Sequence, residues 1–176
     1  MNLVDRAIAP GATRQEVLAG FGAALVGAGL ALSLALDAHL PALSVAVVAV
    51  VAFDLFGGAV VNATDAAKRW YHRPGRTARH HLTFVALHIQ PYLLAWTVPG
   101  VAWTAAAAIH GSALVGAVLV TVAPAPVRRP AAFAITAFAL TLTTSLVTLP
   151  SELGWFAPLL LVKLLLAHLL PEVASR

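Results

Sequence analysis

Cysteine is absent from this chain and methionine occurs once, which excludes disulfides, thiolate metal sites and thiol nucleophiles. Charge is scarce as well: Asp, Glu, Lys and Arg make up 10% of the residues, while 60% are hydrophobic. That balance excludes an ordinary soluble domain and predicts an integral membrane protein. Acidic residues number seven against eleven Lys and Arg. In a soluble chain such an excess would suggest nucleic acid as a partner. Here the basic residues sit in short segments beside apolar runs and form no nucleic-acid-reading module, so membrane topology accounts for them and no nucleic acid is expected. A removable signal peptide is not expected either, because the first residues carry acidic groups and no suitably placed small-residue cleavage site.

A membrane-crossing helix takes about 20 residues, so the chain has room for roughly five to seven of them and little else. The predicted fold class is an all-α integral membrane protein, a compact six-helix transmembrane bundle forming a single domain over 1–176. The apolar runs place the spans at 17–36, 41–63, 80–98, 103–122, 131–149 and 155–170. With both termini cytoplasmic, Arg6, Arg14, the 68–79 segment, Arg128, Arg129 and Arg176 all fall inside, while Asp37 and Glu152 fall outside. A bacterial inner (plasma) membrane fits this pattern. Gly20, Gly22, Gly27 and Gly29 give the first span a small-residue face suited to close helix packing. Thr13 is placed to cap that span. Pro91 predicts a kink or break in the third, and the basic segment around Pro74-Gly75 reads as a loop from 66 to 79. No internal repeat is visible, which argues against an inverted-repeat transporter.

The stretch from Asp54 to Tyr92 is where the sequence departs from plain membrane filler. Asp54, Gly58, Asn62 and Asp65 share one face at helical spacing, and Asp54 falls near the membrane midplane. His88, His110 and Lys163 fall at central depths in three other spans. An unpaired charge at such a depth costs on the order of 3 kcal/mol, so these groups are expected to meet. One reading is structural: an Asp54–Lys163 ion pair with His88 and His110 neutral. The other is a polar, water-accessible cavity. In that cavity Asp54, Asn62, Asp65 and His88 form the candidate catalytic set. The two carboxylates would be base or ligand, His88 a proton carrier and Asn62 an orienting amide.

Lys68, Arg69, His72 and Arg73 are candidates to hold a polar head through charge-assisted hydrogen bonds, with Tyr92, His110 and Lys163 completing the substrate contacts. His80, His81, His88 and His168 form the candidate metal set. His81 and His88 are seven residues apart, two turns of a continuous helix, and imidazole with carboxylate suits Zn or another divalent metal. Haem between facing histidines is the other use of such residues. A buried Asp with several His near the cytoplasmic face is similar to the general picture of six- and seven-helix metal-dependent lipid amidases. The chain departs from them in having only His168, not a paired HxxxH, on its last helix, so their function is not carried over.

These features point to a membrane-embedded enzyme acting on a lipid or other amphiphilic substrate from the cytoplasmic leaflet, with a metal held by buried His and Asp. The alternative is a small proton- or cation-coupled transporter or channel, or an accessory subunit of a membrane complex. Membrane lipid and an amphiphilic or small-molecule substrate are the expected partners, and the glycine-rich first span would allow a homo-oligomer.

Overall fold

The structure, a computed structural model, describes residues 9–171. Those residues are helical with no strand among them. Arg6 and Arg176, used above for orientation, lie outside them. Helix α1 (Arg14–Asp37) begins in a capping box. Thr13 Oγ1 accepts from Glu16 N at 3.2 Å, and Glu16 Oε2 accepts from Thr13 N at 2.7 Å, so two otherwise orphaned backbone donors are satisfied. The chain turns through His39, at φ 53°, and returns as α2 (Ala42–Ala63).

Small residues set the α1–α2 distance. A Cβ at Gly57 would lie 2.7 Å from Ala24 Cβ and 3.3 Å from the Gly20 carbonyl, and one at Gly27 would overlap Phe56. Gly22 and Gly29 face open space instead. Only half of the glycine stripe therefore packs.

Thr64 is extended (φ −71°, ψ 151°) and ends α2. Its hydroxyl then accepts from Ala67 N at 3.3 Å and starts α3 (Asp65–Tyr71). The expected 66–79 loop thus contains a helix, and Thr64 was its N-cap signal. Glu16 Oε1 accepts from Ala66 N at 3.0 Å, tying the start of α3 to the start of α1.

The third expected span is interrupted. It consists of α4 (Ala78–Ala86) and α5 (Gln90–Thr97), separated by Leu87–Ile89. Pro91 has no N–H to give the Leu87 carbonyl. In the break His88 N bonds to Val85 O at 3.1 Å, and the Phe84 carbonyl, freed from its usual backbone donor, accepts from His88 Nδ1 at 2.7 Å. The side chain of the interrupting residue thus replaces the backbone bond that the interruption removes.

Helix α6 (Trp103–Val122) follows, then α7 (Arg128–Leu146) after a 3-10 turn at Ala125–Val127. The last segment is a 3-10 turn (Ser151–Leu153), α8 (Phe156–Leu161) and a π-helix (Val162–His168). Four stretches are long and apolar enough to cross a membrane: Arg14–Asp37, Ala42–Ala63, Trp103–Val122 and Ser151–His168. The last of these is the core of the bundle. It packs on α2, α6 and α7, and Phe156, Leu160, Leu161, Leu164 and Leu165 are fully buried. Leu18, Leu25 and Val26 of α1 and Phe138 and Leu146 of α7 are exposed, an apolar exterior of the kind a lipid environment covers. The threonines of α7 bond back to their own helix, as Thr136 Oγ1 does to Ala132 O at 2.7 Å.

Candidate functional site

The buried charges are resolved by one ion pair. Lys163, 3% exposed, enters from the π-helix and places Nζ 2.7 Å from Asp54 Oδ2 and 3.2 Å from the Asp54 carbonyl. The ammonium passes over Gly58, where a Cβ would lie 2.6 Å from Lys163 Cε and 2.7 Å from Nζ. The Gly57-Gly58 pair therefore serves two contacts on two sides of α2, one with α1 and one with Lys163. Asp54 is not sealed in: its side chain is 48% exposed, and Oδ2 also accepts from Gln90 Nε2 at 3.0 Å.

That exposed carboxylate borders a cavity of about 500 Å³ between α1, α2 and the α4–α5 break. Asp54, Asn62, His88, Gln90 and Lys163 supply its polar wall, and Phe21, Phe53, Val61 and Leu87 supply apolar wall. Asn62 is buried, and its Nδ2 donor has no partner. His88 is held by its Nδ1–H bond to Phe84 O. A carbonyl can only accept, so this bond assigns the proton to Nδ1 and leaves Nε2 as the basic nitrogen. Gln90 was not anticipated from the sequence. Its signal was an amide at membrane depth directly before Pro91.

No family model matches the chain, and no curated protein or solved structure matches it significantly. What the site can do therefore rests on its own geometry.

A second group gathers at the end of the π-helix. His81 Nδ1 and His168 Nε2 are 3.2 Å apart, and His72 Nε2 donates to the His168 carbonyl at 3.0 Å. The His72 and His81 rings stack with centroids 4.7 Å apart, Phe84 stacks on His168 at 3.9 Å, and Tyr71 meets His168 edge-on at 5.1 Å. Burial holds the His72 imidazole below its usual range and the Tyr71 phenol above its own. Lys68 donates to the Ala167 and Leu170 carbonyls, and burial pulls its ammonium down to about 8. Arg73 donates to the Trp70 carbonyl and lies over the Trp70 ring, 3.6 Å from its centroid. Arg69 is exposed.

Several expected roles do not fit this arrangement. Among the described residues no three His, Asp or Glu side chains come together as a metal would require. His81 and His88 do not share a helical face, because α4 ends at Ala86. His80 is exposed, and its Nδ1 accepts from Thr77 N at 3.2 Å. The Phe84 ring contacts both His88 and His168, with centroids 4.6 and 3.9 Å away, so it occupies the place where a haem between those two would lie. Asp65 leaves the Asp54–Asn62 face because α2 stops at Ala63, and it is exposed on α3. Tyr92 and His110 pack against each other edge-on at 5.3 Å, apart from the cavity lining. His110 is buried with Nε2 unpartnered.

Proposed function

We propose that the chain is a membrane-embedded enzyme that acts on a lipid or other amphiphilic substrate by acid–base chemistry in the Asp54–Lys163 cavity. In this reading six helical passes, counting the broken α4–α5 pair and α7, place both termini and the basic 68–79 segment on the cytoplasmic side of a bacterial inner membrane. The observation that carries it is the lining of the cavity: apolar walls fit a chain, and the polar wall ends in one half-exposed carboxylate, one free imidazole nitrogen and one unpartnered amide donor.

For an acyl ester or amide the roles follow. His88 Nε2 accepts the proton of an attacking water as its oxygen bonds to the carbonyl carbon. The Asn62 amide and the Lys163 ammonium stabilise the resulting oxyanion. The imidazolium then returns the proton to the leaving oxygen or nitrogen as its bond to that carbon breaks. Asp54 holds Lys163 charged and in place. No metal enters this scheme.

One observation favours a carrier instead. The ion pair is flanked by two interrupted elements, the Leu87–Ile89 break and the π-helix, and discontinuous helices beside buried charge recur in carriers. The separating experiment uses proteoliposomes made with bacterial polar lipids. Mass spectrometry of the lipids for released acyl products is combined with a trapped pH dye, and the parent is compared with Asp54→Asn and His88→Gln. New product from the parent, lost in both variants, supports the enzyme. Proton flux without product, lost in Asp54→Asn, replaces it with the carrier.

A further inference from the structure

A second hollow, of about 800 Å³, lies beside the start of α4 and shares Tyr71, Phe84 and Leu87 with the cavity at Asp54. Arg76, Arg79, His80, His81 and Thr77 line it, and no Asp or Glu among the described residues does. We infer that this cleft binds a phosphate-type anion. The inference is independent of any chemistry at Asp54.

Three features converge. First, α4 (Ala78–Ala86) is nine residues long and has its N-cap, Thr77, here. The first N–H groups of a helix lack partners within it and carry the positive end of its dipole. Second, the two guanidinium groups offer the forked donors that match phosphate oxygens, and Arg76 Nε is without a partner. Third, His168 also lines the cleft, is 2% exposed, and has an unpartnered Nδ1. Its Nε2 is 3.2 Å from His81 Nδ1, so one proton is shared between them. In the tautomer in which His81 donates, His168 Nδ1 carries a hydrogen, and an anionic oxygen in the cleft would accept it. A buried ring nitrogen without a partner calls for one.

The basic residues nearer α3 are already engaged. Lys68 is bonded to the Ala167 and Leu170 carbonyls, His72 to the His168 carbonyl and Arg73 to the Trp70 carbonyl and ring. Arg69 is exposed and does not line the cleft, so the anion-binding group of this face is Arg76–His81, not Lys68, His72 and Arg73.

The test uses the full chain. In detergent it is titrated with inorganic phosphate and followed by 31P NMR and calorimetry. In nanodiscs of phosphatidylcholine with or without phosphatidic acid, 31P contacts to the lipid head are recorded. Binding weakened on the order of tenfold by Arg76→Gln with Arg79→Gln, and unchanged by Arg129→Gln, supports the site. Saturation by inorganic phosphate identifies a soluble phosphate as sufficient, and binding to phosphatidic acid alone identifies a lipid head. Both arginines of the cleft are at least partly exposed, and helical circular dichroism verifies that the double variant folds. If the parent binds neither probe, or the folded double variant binds as the parent does, the inference is overturned.

Discussion

Gly58 is the residue that lets Lys163 reach Asp54. A Cβ at position 58 would stand 2.6 Å from Lys163 Cε and 2.7 Å from Nζ, so the end of the lysine side chain has to shift, and the shift takes Nζ from its 2.7 Å contact with Asp54. Gly58→Ala is expected to cost about 1 kcal/mol, the low end of overpacking because a side-chain tip can move, and, on the proposed chemistry, to lower activity by displacing the ammonium. Thermal unfolding in detergent checks the first effect and the proteoliposome assay the second.

The two halves of the ion pair are unequal in burial, and their removal should be unequal too. Asp54→Asn leaves an ammonium 3% exposed without its counter-charge, at a cost of about 3 kcal/mol or more. Lys163→Met leaves a carboxylate that is 48% exposed, and screening keeps that cost near ~1 kcal/mol. Equal losses in thermal midpoint would show that Asp54 is not open to the cavity.

The glycines of α1 should fall into two classes. Gly20→Ala and Gly27→Ala drive a methyl into Val61 and Phe56 and should each destabilise by about 1–3 kcal/mol. Gly22→Ala and Gly29→Ala meet nothing within 4 Å and should be neutral or slightly stabilising, since Ala is the better helix former. A set of four melting curves decides it.

Lys68 gives the fold a pH dependence of definite sign. Its ammonium titrates at about 8 in the fold against 10.5 ordinarily, so between those values the unfolded chain holds more protons. Stability from this group is therefore lowest below pH 8 and rises as pH increases through that window. Tyr71, raised above 10.0 by burial, acts oppositely above pH 10, so the test stays below it. The thermal midpoint of the parent should rise by a few degrees relative to Lys68→Met from pH 8 towards pH 10. A parallel pair of curves would contradict the assignment.

His88 links the helix break to the cavity. His88→Ala leaves the Phe84 carbonyl without its 2.7 Å donor, at a cost of about 1–3 kcal/mol, and, on the proposed chemistry, removes the Nε2 base, which should lower product release by about 10²–10⁴-fold. His88→Asn supplies a donor but no base. Restored stability without restored activity is the expected result.

What could be read from the sequence was what composition and local chemistry decide. The apolar run 103–122 coincides with α6 (Trp103–Val122), and Thr13 caps α1 through a capping box. Pro91 foretold the interruption at Leu87–Ile89. Asp54 and Lys163 were the two central charges of opposite sign, and they meet. The errors share one cause, the assumption that a helix continues. Asp65 was placed on the face of Asp54, and His88 on the face of His81, by counting turns through Thr64 and through Leu87, where the helices have ended. The engagement of Lys68 and Arg73 with nearby carbonyls was also beyond sequence reasoning, because a basic side chain looks the same whether it faces a ligand or a helix end.

The π-helix bears on how the gene can change. Lys163 lines the Asp54 cavity and His168 lines the anion cleft. In an α-helix, residues five apart point about 140° away from each other. The wider turn of Val162–His168 brings them closer to one side. A π-turn amounts to one surplus residue in an α-helix, so deleting a single codon between 163 and 168 would leave the two side chains four apart in a helix of ordinary pitch, about 40° from each other and still on one side. Replacing Lys163 or His168 keeps the spacing and empties a hollow of its polar group. Composition at those two positions, more than length, is thus what inheritance has to conserve there.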